Sequence, residues 1–375
     1  MHIRKPRKSL SKFNFYYGKN FGTKEFPTPS KNCVLLEYTA TYKYLGVLFH
    51  ENMDFSVVAD DLATRASRAL GSVIAKFYTN NGMEYKTFKK LYEACITKVA
   101  DYSAGVWGLG LYPKLNNVHN RALRTYLGVH KYAPIEALIG EVALTPPAIR
   151  RKIEVVRLWN RLIKMPDSRL PKLIFAHEFE NSNSWCRDIK SIFEQTNFMH
   201  IYNNKITVDP SDVKDKLLEL FSSNFTDSLP MKQKLRNYAL FKFSFEPEPY
   251  ACAYLSRNKR SIFAQLRMGI LPLRVETGRF QNLDLNDRIC IYCNSGNVED
   301  ENHFIFHCSL YDHLRVPFLV KCSEVVENFE QFDEIEKFRC VLSNEKIQTE
   351  TATFVQEAFL FRKKTKILNG GGPPN

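Results

Sequence analysis

The chain of 375 residues is 44% hydrophobic and 25% charged, the balance of a folded protein and not of a disordered one. No apolar run approaches the roughly 18–20 residues of a membrane span, and no apolar stretch follows the basic start Met1-His2-Ile3-Arg4-Lys5, so neither a transmembrane segment nor a secretory signal is expected. The 53 Lys and Arg against 40 Asp and Glu leave a net charge of +13, which favours a polyanionic partner because such cations displace the counterions condensed on phosphates.

Residues 1–50 read as a basic arm followed by a β connection. The first 31 residues carry eight Lys or Arg against Glu25 alone, and Pro6, Pro27, Pro29, Gly18 and Gly22 break any long helix. A strand is expected around Phe13–Tyr17, and Tyr42–Phe49, rich in aromatic and branched residues, reads as a buried strand.

Residues 51–176 read as a helical domain. Apolar residues recur every three or four positions in three sets: Leu62, Ala66, Ala69, Leu70, Val73, Ile74, Phe77; then Phe88, Leu91, Tyr92, Cys95, Ile96, Val99, Tyr102; then Leu115, Val118, Ala122, Leu123, Tyr126, Leu127. Thr145 is expected to cap a fourth helix, with Pro146 at its first position and Ile149, Ile153, Val156, Trp159, Leu162 and Ile163 on its apolar side. From Lys114 to Lys172 there are twelve basic and four acidic residues. Most of these cations, Arg121, Arg124, Arg150, Arg151 and Lys152 among them, lie off the apolar stripes and are expected to form an exposed basic face.

Pro166, Pro171 and the polar run Glu178–Ser184 mark a boundary, after which residues 177–254 read as a weakly patterned helical linker region. The segment 255–320 opens on a short basic helix at about 256–267 with Arg257, Lys259, Arg260 and Arg267. Residues 321–375 read as C-terminal helices, one near 350–366, and a Gly370–Pro374 tail expected to be disordered. No internal repeat is found.

Nine cysteines, an odd number with one close cluster, point to a reducing compartment and a metal and not to a disulfide framework. Cys290, Cys293, His303 and Cys308 form the pattern C-x2-C-x9-H-x4-C. Two thiolates two residues apart grip an ion from a tight turn, and His303 and Cys308 supply the other corners. Three soft thiolates with one imidazole favour a single Zn2+, and four protein ligands leave no open position for water, so the ion is structural. His307 is the rival ligand, disfavoured because it adjoins Cys308. Glu299-Asp300-Glu301 is expected near lysines or solvent.

These residues carry a resemblance. Arg279-Phe280, Arg288-Ile289-Cys290, Cys293, Glu299-Asp300-Glu301, His303-Phe304, Cys308, Tyr311 and Arg315 resemble the carboxy-terminal zinc-binding segment of LINE-type (non-LTR) retrotransposon reverse transcriptases. Ile262, Leu266-Arg267, Gly269, Leu273 and Glu276-Thr277-Gly278 fit its lead-in, and Ser309 stands where the family often has proline. Tyr42–Val47 resembles the segment just after the polymerase palm, and Tyr102, Gly105-Val106-Trp107-Gly108 and Arg121–Arg124 resemble the helical thumb, so the likeness covers most of residues 15–320 in the family's order.

The resemblance implies a mainly α fold with a small β element: a thumb-like domain, a helical linker and a CCHC zinc-binding module. It implies binding to RNA or DNA backbone through Arg121, Arg124, Arg150, Arg151 and Lys152, and through Arg257, Lys259, Arg260 and Arg267 beside the zinc segment. Tyr292 is a candidate for stacking on bases, whereas Phe304 is expected to pack inside. A nuclear or cytoplasmic location follows from the family and from the cluster Arg4-Lys5-Pro6-Arg7-Lys8.

Neither an endonuclease domain nor the palm aspartates of such polymerases are found, so no catalytic residue is assigned and the chain alone is expected not to polymerise. Ala59-Asp60-Asp61 imitates the family's metal-binding pair, but it follows Val58 in place of an aromatic and leads into a helix, where the two acids are expected to favour the helix N-terminus. Two alternatives stand beside this reading: a host-retained interaction scaffold built on the zinc module, and a decayed element fragment without function.

Overall fold

The computed structural model describes residues 15–17, 34–36, 39–180, 184–235, 237–253 and 255–368. The rest of the basic arm and the Gly370–Pro374 tail lie outside the described residues. The fold is mainly α with a small β element, as the sequence predicts. Strand β1 (Phe15–Tyr17) pairs antiparallel with β2 (Val34–Leu36), and β3 (Thr41–Tyr44) pairs antiparallel with β4 (Val47–His50).

The expected buried strand at Tyr42–Phe49 is therefore two strands. Leu45 and Gly46 both take positive φ, 46° and 83°, and reverse the chain between them. Every residue of β3 is exposed, and Val47 alone of the hairpin is buried.

Helix α1 (Phe55–Thr79) is capped by Asp54, whose carboxylate accepts from the Ser56 N–H at 2.8 Å. Asp60 and Asp61 thus fall in the second turn and not at the helix N-terminus. Asp61 pairs with Arg65, and Asp60 accepts from Lys114 Nζ at 2.5 Å. Helix α2 (Tyr85–Leu91) runs into a π-helical stretch at Tyr92–Thr97. The wider turn advances the buried face by a residue, so Tyr92 and Ile96 are buried while Cys95, which the sequence places on the same stripe, is exposed.

All six predicted apolar residues of α3 (Pro113–Leu127) are buried, and the helix stops at Gly128 in the left-handed region. Helix α4 (Ile135–Val142) follows. Helix α5 begins one residue later than predicted, at Pro147, and ends at Lys164; Pro146 takes the cap position, with no side-chain capping bond. The helical turn Ala104–Trp107 lies against α5 so closely that a Cβ at Gly105 would come within 3.0 Å of the Glu154 carbonyl oxygen and Leu158 Cβ. That approach is tight enough that a larger residue there would press on the α5 backbone.

Helices α6 (Leu170–Glu180), α7 (Ser184–Gln195) and α8 (Pro210–Ser228) build a second apolar cluster with α5. At its centre Trp159 meets the rings of Phe175, Phe193 and Tyr202 at 5.5, 5.4 and 5.6 Å between centroids. The larger cluster joins residues 47–144 to residues 225–358. Buried side chains therefore group across the divisions drawn from sequence: residues 186–217 pack with α5, whereas Phe225, Tyr238 and Tyr250 pack with the early helices.

Helix α9 (Arg257–Arg267) and the C-terminal helices α10 (Asp312–Val325), α11 (Glu334–Ser343) and α12 (Gln348–Leu368) complete the larger core, with α12 lying against α9, α10 and α11. No helix of the described residues is long and apolar enough to cross a membrane.

Candidate metal centre

The segment between α9 and α10 folds back twice. Ile289 bridges to Val298, Cys290 N–H donates to the Asn297 carbonyl at 2.9 Å, and Gly296 takes φ 72° in the reversal. This turn carries Cys290 and Cys293. The second fold is a π turn at His303–His307, where the Cys308 N–H donates to the His303 carbonyl at 2.8 Å. An i→i+5 bond brings residues five apart onto one side, which is why His303 and Cys308 share the site. Asp300 fixes the start of the turn by accepting from the His303 N–H at 2.8 Å.

The ligand atoms of Cys290, Cys293, His303 and Cys308 all lie within 4.8 Å of one another. The Cys290 and Cys308 sulfurs are 3.8 Å apart, and Cys293 Sγ is 3.3 Å from His303 Nε2. Bonds of ~2.3 Å to sulfur and ~2.05 Å to nitrogen give tetrahedral edges of about 3.8 and 3.5 Å. The four residues are thus placed to hold one metal ion. The hydrogen bond between the two sulfurs is the main influence on both thiols, bringing Cys290 down and pushing Cys308 up. A thiolate is the form that ligates a metal.

His307 faces the other way, with Nε2 at 2.8 Å from a Glu334 carboxylate oxygen. The acidic run departs from expectation. Glu299 and Glu301 are buried: Glu299 pairs with Arg362 and accepts from the Arg274 N–H at 2.8 Å, and Glu301 accepts from Asn237 Nδ2 at 3.1 Å. Arg315, seven residues beyond the last ligand, donates to the Ile305 carbonyl at 2.8 Å and also bonds the Cys308 carbonyl. Arg362 donates to Tyr311 Oη at 2.7 Å and lies 4.2 Å over the Tyr292 ring. Sequence reasoning placed Glu299 near lysines or solvent and gave Arg362 no role. The available signal was the spacing Phe354, Ala358, Arg362, which puts an arginine on the apolar stripe of α12. Phe304 is fully buried against Tyr311, Phe354 and Phe359, an internal packing residue.

Seven of the twelve cations on the predicted basic face, Lys114, Arg121, Lys131, Arg157, Arg161, Lys164 and Arg169, are exposed, but two of those singled out as phosphate contacts turn inward. Arg151 is buried, donating to the Gly108 carbonyl at 3.3 Å, and Arg150 pairs with Asp101 at 2.7 Å and donates to the Thr145 carbonyl. Arg267 is buried between Glu141 at 2.9 Å and Glu248 at 2.6 Å. Arg260 is buried too, donating to the carbonyls of Tyr126 and Met83 at 3.1 Å each. These four, read as phosphate contacts, are internal fastenings. Arg150 lies off the apolar stripe of α5, whereas Arg260 and Arg267 share the buried face of α9 with Phe263 and Ala264 at i, i+3, i+4 and i+7, a signal that counting charges passes over.

Arg121 remains exposed, with Nη1 at 3.2 Å from Ser67 Oγ. Arg124, Lys152, Arg257 and Lys259 are half-buried; Lys152 bonds Gln195 at 3.1 Å, and Arg257 lies 4.4 Å over the Tyr78 ring. Arg161, Lys164 and Arg169 are exposed on and beyond the end of α5. No known family, curated protein or solved structure matches this chain.

Proposed function

We propose that this chain is the carboxy-terminal, nucleic-acid-binding part of a LINE-type reverse transcriptase: a post-palm hairpin, a helical thumb and a zinc segment that together hold RNA or DNA by its backbone. The observation that carries the reading is the convergence of Cys290, Cys293, His303 and Cys308, the four positions singled out by the resemblance, to within 4.8 Å of one another, with the Cys290–Cys308 spacing of 3.8 Å equal to a tetrahedral edge. The ion is Zn2+, selected by three thiolates and one imidazole, and its role is structural. The exposed cations Arg121, Arg161, Lys164 and Arg169 supply sequence-independent phosphate contacts. The chain binds without polymerising: Asp60 and Asp61 sit within α1, engaged by Lys114 and Arg65.

One observation favours a second reading, an interaction scaffold. Ile291, between Cys290 and Cys293, is 64% exposed, and Phe280 in the same segment is 73% exposed, as residues of a protein-docking surface would be. Zinc content and RNA binding, measured on the full chain and on Cys293→Ser over a salt series, separate the readings. One zinc per chain, lost in the variant, with RNA affinity falling more than about tenfold between low and moderate salt, supports the nucleic-acid reading. One zinc without RNA binding favours the scaffold. No zinc in the wild type removes the metal assignment and leaves a functionless fragment as the better account.

A further inference from the structure

Residues 76–90 and 252–260 are distant in sequence and carry seven Lys or Arg against a single carboxylate, Glu84. The fold brings them together. Arg257 lies over the Tyr78 ring, a Cβ at Gly82 would sit 3.5 Å from Arg257 Cβ, and Arg260 Nη1 donates to the Met83 carbonyl. Lys86, Lys89 and Lys90 line the exposed side of α2, and Lys89 lies close enough to Cys252, just ahead of α9, to act on its thiol.

Two features of this junction call for an anion. The first is the N-terminus of α9, an 11-residue helix capped by Ser256, whose first turn holds Arg257 and Lys259 and no acid. Cations there oppose the helix dipole, an arrangement that suits the capture of a negative group by the free N–H groups. The second is Arg260. Unlike Arg267 and Arg362, which meet buried carboxylates, this 2%-exposed guanidinium bonds, among the described residues, only to Tyr126 and the Met83 carbonyl. Its Nη2 is buried without a hydrogen-bond partner, and it faces the Gly82 turn, where a Cβ would lie 3.7 Å away. A buried cation without a counter-charge projects its field to the nearest surface.

We infer that this junction, formed by the Gly82 turn, the start of α9 and the lysines of α2, is a phosphate-binding site. It rests on the nucleic-acid reading only for the source of the phosphate, a backbone phosphodiester in place of a free ion. It moves the principal contact from the 114–172 face to a surface that joins the early helices to the helix leading into the metal segment.

The test uses the full chain and Arg257→Gln/Lys259→Gln, with matched metal content and circular dichroism confirming that the variant folds. Binding to a short RNA is followed by anisotropy over a salt series. In parallel, the melting temperature is compared in inorganic phosphate and in chloride at equal ionic strength. The site predicts a variant whose log–log salt slope is shallower by about 0.7 for each contact removed, and whose stabilisation by phosphate is lost. RNA binding with the same slope in both proteins, together with equal phosphate stabilisation, overturns the site and leaves the nucleic-acid reading standing. Phosphate stabilisation that the variant loses, with no RNA binding by either protein, upholds the site and removes the nucleic-acid reading.

Discussion

The guanidinium of Arg362 in α12 ion-pairs with the carboxylate of Glu299, four residues before the ligand His303, and both groups are buried. Arg362 also reaches Tyr311 Oη and the Pro272 carbonyl, so one side chain ties α12 to the segment on both sides of the ligands. Burial raises the Glu299 carboxyl and Arg362 opposes that rise, so removing the arginine strands a costly charge.

Arg362→Met is therefore expected to lower unfolding stability by about 3–5 kcal/mol, because a buried pair is broken and not replaced. The double variant Glu299→Gln/Arg362→Met should regain part of that loss, since the abandoned carboxylate is gone. Chemical denaturation at neutral pH measures both. A loss of less than about 1 kcal/mol in the single variant would show that solvent reaches the pair.

His119 sets a pH dependence. It is fully buried in α3 with Nδ1 at 2.6 Å from Tyr92 Oη, and burial, followed by the charge of Arg150, brings its pKa from 6.5 down to about 3. The folded state thus binds fewer protons than the unfolded state below pH 6.5. Stability is complete above that value and is lost as pH falls toward 3. Between pH 7 and 5 the expected loss from this group is about 2 kcal/mol. His119→Gln, which stays neutral, should lose less over the same interval, and the difference between the two proteins isolates His119 from every other acid-sensitive group. Equal losses would mean that His119 titrates normally.

The core of α1 and α3 and the four metal ligands were legible in the sequence because each is a local pattern: a 3.6-residue period, or cysteines at a fixed spacing. Three other features were not. Leu45-Gly46 lies inside an aromatic run that reads as one strand, yet Gly46 permits the reversal that leaves Tyr42 and Tyr44 exposed. The π stretch at Tyr92–Thr97 shifts the buried face by a residue, which a fixed period cannot follow. The inward turn of Arg151, Arg260 and Arg267 depends on Gly108, Tyr126 and Glu141, partners 43 to 134 positions away. Charge counting ranked these arginines with the exposed ones because it ignores the helix face each one shares, and Arg260 and Arg267 lie on the buried face of α9 with Phe263 and Ala264.

Metal removal provides the sharpest separation of the two neighbouring histidines. His303 presents Nε2 to Cys293 at 3.3 Å, whereas His307 engages Glu334 at the surface. His303→Ala should lose the bound metal, and His307→Ala should retain one ion per chain by elemental analysis. Chelation of the wild type should act first on the two turns around the ligands, where the bridge Ile289–Val298 is short and Cys293 and Gly296 lie in an irregular reversal. An ion present at about a thousand times its Kd contributes about 4 kcal/mol, and this is the stability expected to disappear. Amide exchange should accelerate over residues 289–308 while α3 stays protected, because Leu123 and Tyr126 lie in packing that involves none of the four ligands directly. Rebinding should release protons as the thiols ionise. Retention of the metal by His303→Ala together with its loss from His307→Ala would reverse the ligand assignment.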